Sequence, residues 1–193
     1  MTDSQSVNVL KDVVVPLVAA VIGAGAALLA GYFAIVVPQR EQRKLDAATA
    51  RFAVSSFSQA AHLAASTILA HRPLGPMETV LREQIARFID TIPRFAVHLD
   101  RVLPDEEGSD KFSLMITELD RQRYLPAFTD HEVLFAYATA ATTGLLLGTS
   151  KRSESVGILS AITKDTTHGD LGPFFSAIVD HTLPPDIRKE VRR

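Results

Sequence analysis

The 193-residue chain contains no cysteine. That removes disulfide frameworks, thiolate metal centres and cysteine nucleophiles together. An excess of either charge is lacking too, with 20 Lys and Arg against 22 Asp and Glu. A nucleic-acid-binding module needs a concentrated basic face, and this balance argues against one. Hairpin signals are missing: no Asn-Gly or Asp-Gly pair separates two alternating runs, so strands are not expected. No internal repeat of 20–50 residues is visible. The chain also has no Gly-x-Ser-x-Gly, no His-Glu-x-x-His, no Glu-x-x-His and no Gly-x-x-x-x-Gly-Lys-Ser/Thr. The common signatures of a nucleophile elbow, a helical metal site and a phosphate loop are therefore absent. Neither a catalytic residue nor a cofactor is expected, and a non-enzymatic role is favoured.

What is present is distributed unevenly. Val13 to Gln39 carries no charge, whereas residues 38–193 hold 19 basic and 20 acidic side chains. Within the apolar run, VIGAGAALLAG (21–31) superficially matches the start of a dinucleotide-binding loop. Gly23 and Gly25 fit its first two glycines, but Leu28 occupies the third position. A side chain there opposes the close helix–strand packing that the motif needs. Pro16 would also interrupt the preceding strand. The nucleotide reading is rejected.

A membrane span accounts for more. Val13 to Val37 is 25 uncharged residues, about 37 Å as a helix against a hydrocarbon core of about 30 Å. Pro16 falls in the first turn, where its missing N–H costs little. A cleaved signal peptide would have a basic start and a shorter apolar core. Here the first twelve residues hold one Lys and two Asp, so residues 13–38 are expected to remain as a single transmembrane helix. Arg40, Arg43 and Lys44 crowd its exit. By the positive-inside rule the C-terminal side is cytoplasmic and residues 1–12 are extracytoplasmic. The expected location is the cell membrane (inner or plasma), single-pass. Ala19, Gly23, Ala27 and Gly31 recur every four residues. Such a small-residue stripe lets two membrane helices approach closely, so homo-oligomerisation through this helix is expected.

Residues 39–183 read as an all-α cytoplasmic bundle of five to seven helices. Gln39 to His71 contains no Gly or Pro and is uncharged from Phe52 to Ala70. Its Ala and Ser content suits a closely packed interior helix, with Ser55, Ser56 and Ser58 packed within it. After RPLGP (72–76), the positions Val80, Leu81, Ile85, Phe88, Ile89, Ile92, Phe95 and Leu99 follow the spacing of one buried face. Pro93 is expected to kink or split that helix. PDEEGSD (104–110) reads as a solvated acidic turn, with Ser109 capping a helix that buries Phe112, Met115, Ile116 and Leu119.

Thr129, Asp130, His131 and Glu132 form a capping-box pattern, with Phe128 and Val133 placed for a hydrophobic staple. The uncharged stretch Val133–Ser150 that follows is 18 residues with four Thr. A buried bundle helix is favoured over a second membrane span. Shorter helices are expected near 152–165 and 171–182, and residues 184–193 read as a basic, solvated tail.

Chemistry-bearing clusters are few. Asp165, His168 and Asp170 are three potential ligands within six residues, the best candidate for a metal. The plainer reading is a polar loop in which Asp170 caps the next helix, and it is favoured. His62 reads as a bundle histidine with a partner. Lys151 and Arg152 read as an exposed helix start. The expectation is a single-pass membrane protein that scaffolds or binds an unknown protein partner, with no nucleic acid. The alternative is a membrane-tethered enzyme or ligand sensor with a bundle pocket near His62, His98 or the 165–170 loop.

Overall fold

A computed structural model describes residues 48, 49 and 51–193, apart from the side chains of residues 95–98 and 100. The expected membrane helix, its stripe of Ala19, Gly23, Ala27 and Gly31, and the flanking Arg40, Arg43 and Lys44 lie outside the described residues. These contain seven helices and no strand. No helix among them is long and apolar enough to cross a membrane.

The first helix, α1 (51–69), ends where the chain turns left-handed at His71 (φ 53°). The second, α2 (Pro76–Val102), opens on a proline, whose missing N–H would be unbonded there in any case. It then runs unbroken through Pro93, so the expected split does not occur. An interior proline costs roughly 3 kcal/mol. Packing on both sides of it, through Phe88 and Leu99 at 0% and 5% exposure, holds the helix together. Val80 departs from its predicted place on the buried face and is 42% exposed.

Helix α3 (Glu106–Gln122) starts earlier than Ser109. Its cap is Asp105, whose carboxylate accepts the Gly108 N–H at 2.7 Å. Glu106 and Glu107 then fall in the first turn, where acidic side chains complement the helix dipole. The acidic segment is a helix start rather than a free turn. Arg82 closes the other end of α3. Its guanidinium donates to the carbonyls of Arg123 and Leu125, both at 2.7 Å, to Glu78 at 2.8 Å, and lies over the Phe128 ring. Helix C-terminal carbonyls lack intrahelical donors, and a cation there satisfies them.

Helix α4 (Asp130–Leu147) begins with the predicted capping box. The Glu132 carboxylate accepts from the Thr129 N–H at 2.8 Å and from its hydroxyl. Burial acts against this carboxylate, but those bonds from Thr129 hold its pKa below the ordinary value. The helix ends at Gly148, which is left-handed (φ 62°). Helices α5 (Arg152–Thr163) and α6 (Leu171–Thr182) follow close to the expected boundaries. The tail departs from expectation: Pro185–Val191 forms α7, which buries Ile187 and Val191. Two apolar side chains four residues apart make one sticky face, and α7 docks on α5 with it.

The core is centred on α4, which packs against α2, α3, α5 and α6. Phe135 meets Phe174 and Phe175 of α6 at ring separations of 5.5 and 5.2 Å. Phe57 of α1 stacks on Phe88 of α2 at 4.8 Å. Gly172 sits where α6 presses on the end of α5. A Cβ there would lie 2.5 Å from the Asp165 carbonyl oxygen, whereas a Cβ on Gly157 would meet nothing within 4 Å.

Gly172→Ala is expected to destabilise the fold by about 1–3 kcal/mol, because backbone must move. Gly157→Ala should stabilise it by roughly 0.5–1 kcal/mol through helix propensity. Chemical denaturation of both variants checks the contrast. Gln122 supplies a second test. It is fully buried, and neither its Nε2 nor its Oε1 has a hydrogen-bond partner. Replacing such a group with an apolar side chain of like shape removes a desolvation cost of about 1–3 kcal/mol. Gln122→Met should raise the unfolding midpoint; a lower one would show that the amide has a partner in solution.

Candidate interaction face

Helix α1 is amphipathic in an unusual way. Its inner side buries Val54, Phe57, Ala60, Ala61, Ala64, Ala65 and Ile68. The four alanines allow its backbone to come close to its neighbours. Its outer side carries Phe52, Ser55, Gln59, His62, Leu63, Ser66 and Leu69, all exposed. Phe52, Leu63 and Leu69 are 72%, 52% and 69% exposed. A bundle helix usually turns charges to solvent. Here no Asp, Glu, Lys or Arg occurs from Phe52 to Ala70. The expectation of a helix packed all round fails, because only one flank of α1 meets the bundle. Ser55 is exposed, and Ser56 and Ser58 are half-buried.

One contact ties this face to the core helix. His62 Nδ1 and the Tyr137 hydroxyl of α4 are 2.9 Å apart, with rings 5.6 Å apart. Burial raises the Tyr137 pKa, and the Glu154 carboxylate adds to it. The phenol therefore stays protonated. His62 has the partner expected of it, but at the surface rather than inside the bundle. Nothing local to His62 marks Tyr137, which is 75 positions away.

The 165–170 loop assembles only in part. Asp165 Oδ1 accepts from the Thr167 N–H at 2.7 Å and from its hydroxyl at 2.6 Å, which is a local Asx turn. Asp165 Oδ2 lies 2.5 Å from His168 Nδ1, and the Thr167 hydroxyl lies 2.8 Å from the same nitrogen. A relay needs the carboxylate on one ring nitrogen and the hydroxyl on the other. Both groups share Nδ1 here, so the arrangement folds the loop and does not activate Thr167. Asp170 occupies the cap position of α6, yet its side chain makes no cap bond; its carbonyl accepts the Phe174 N–H at 2.9 Å. Among the described residues no three His, Asp or Glu side chains gather where they could hold a metal. Asp165, His168 and Asp170 therefore do not form a three-ligand group.

The other candidates spread apart. His181 lies 3.4 Å from Glu107 of α3, His131 stands in the first turn of α4, and the side chain of His98 is outside the described residues. Arg152 is more than an exposed helix start. It pairs with Asp186 at 2.6 Å and Glu190 at 2.8 Å, which clips α7 to α5. Compared with known proteins, the chain matches no family profile, no curated protein and no solved structure.

The hydrogen bonds from Thr167 hold the Asp165 carboxyl down to about 2, with His168 a smaller contributor. A depressed carboxylate contributes stability that is full above its unfolded value near 3.8 and is lost as pH falls through about 2. An NMR titration of the carboxyl carbon should show that low midpoint. Thr167→Val should move it upward, since the hydroxyl donor is gone, while the backbone donor keeps it below the ordinary value.

Proposed function

We propose that this chain is a membrane-anchored scaffold whose cytoplasmic bundle pairs with a second copy of itself through the outer face of α1. The observation that carries this reading is the uncharged outer face with three large apolar side chains in water. Large apolar side chains exposed on a face without charge are what an interaction surface offers. A charge-free face favours a like partner in particular. In a two-fold interface each residue meets its own surroundings from the other copy, so any charge at its centre would face the same charge. None is present between Phe52 and Ala70.

The proposed anchor supports the same arrangement. Thirteen residues separate Pro38 from Phe52, at most about 50 Å of extended chain. Paired membrane helices, held by the stripe of Ala19, Gly23, Ala27 and Gly31, would keep two α1 helices within that reach. Flat packing of Ser55, Gln59 and Ser66 between the larger side chains suits close helix–helix contact.

The absence of cysteine makes the test direct. In the full chain reconstituted in vesicles, Gln59→Cys is expected to form a covalent dimer on mild oxidation. Ser113→Cys, exposed on α3, should remain monomeric. Adding Leu63→Glu to Gln59→Cys should reduce the dimer at least fivefold with no change in the melting curve. Equal cross-linking at both cysteine positions, or insensitivity to Leu63→Glu, would remove the proposal.

A further inference from the structure

The surface formed by α6 and α7 has a chemistry of its own. Asp180, Pro185, Arg188, Lys189, Arg192 and Arg193 line an open groove of about 560 Å³. That is within the range of small-molecule sites, roughly 300–1,000 Å³. Four cations and one carboxylate leave a formal excess of three positive charges along it. The remaining acidic residues of α7 are engaged elsewhere, since Asp186 and Glu190 both pair with Arg152. Salt bridging to α5 thus sorts the charges of α7, acids on one side and bases on the other.

Two of the guanidinium groups are held in place. Arg188 donates to the Asp180 carbonyl at 2.6 Å. Arg192 donates to Ser176 Oγ at 2.8 Å and pairs with the Asp180 carboxylate. Ile187 and Val191, buried beneath, fix the helix that carries them. Arg188 Nε is shielded from solvent and has no hydrogen-bond partner. Lys189 and Arg193 stand exposed with no ion pair among the described residues.

We infer that this groove binds a phosphate group, either on a free phosphorylated compound or on a phospholipid headgroup. Guanidinium groups already fixed in place reduce the ordering cost of binding, and their remaining N–H donors suit phosphate oxygens. A lysine and a further arginine supply the charge that a dianion needs. One carboxylate ligand would leave most of that excess uncompensated. The site is separate from the outer face of α1 and does not depend on pairing.

The test uses the full chain in neutral detergent with inorganic pyrophosphate as the soluble probe. Calorimetry is expected to show binding in the micromolar to low-millimolar range. Lys189→Gln with Arg193→Gln, both at exposed positions, should weaken it at least tenfold while leaving the melting temperature unchanged. For the lipid source, hydrogen exchange across residues 184–193 is compared in nanodiscs of neutral and anionic phospholipid. Added protection in the anionic discs, lost in the double variant, supports a headgroup. Binding of pyrophosphate without that protection supports a free phosphate compound. The inference is overturned if neither probe binds, if the double variant binds as well as the parent, or if polyglutamate binds and pyrophosphate does not.

Discussion

Twelve of the eighteen residues of α4 are buried, which leaves this helix no flank for a charge beyond its first turn. Four other helices pack on it, and α1 reaches it through His62 and Tyr137. Its composition follows from that position. Alanines and Gly144 admit close neighbours, and Phe135 fills the space toward α6. The hydroxyl of Thr142 returns to the Ala138 carbonyl at 2.9 Å, so its polarity is absorbed within the helix. The capping box at Glu132 and the left-handed Gly148 set where the helix begins and ends. Helices α2, α3, α5 and α6 then have a common surface to cover, and their apolar faces turn toward it.

The outer elements are secured by fewer and more polar contacts. Arg82 binds the segment between α3 and α4, and Arg152 binds α7 to α5. These ion pairs are partly or largely solvent-exposed, and such pairs contribute little by themselves, about 0–1 kcal/mol. Their value is positional. Arg82 meets carbonyls that have no donor of their own, and Arg152 draws two acids to one side of α7. The buried Ile187 and Val191 supply the apolar part of that docking. The charge sorting that results gives the α6–α7 groove its basic lining.

Most helices were legible from local signals. The Thr129–Glu132 box and the spacing of Leu81, Ile85, Phe88 and Leu99 act within a few residues of chain, and each appears where expected. The start of α3 was missed because two caps competed, and Asp105 won over Ser109. Gly108, whose N–H Asp105 caps, also lies against a later element: a Cβ there would lie 2.4 Å from the His181 carbonyl oxygen. That carbonyl belongs to a helix more than seventy residues later, and nothing near Gly108 announces it. The docking of the tail was missed for a similar reason: its basic residues suggested a solvated end, while Ile187 and Val191 needed a surface not yet in view.

Helix type, the approximate boundaries and the lack of strands among the described residues were determined by the sequence itself, because caps, periodicity and propensity act over one or two turns. The uncharged run from Phe52 to Ala70 was equally plain in the sequence, but its meaning was not. Periodicity identifies which residues share a face and cannot say how many faces find neighbours. Only the tertiary structure decided that α1 is covered on one side, that His62 meets Tyr137, and that the bases of α7 line a groove. Each of these depends on contacts between segments far apart in the chain, whose free energies exist only after the helices have packed.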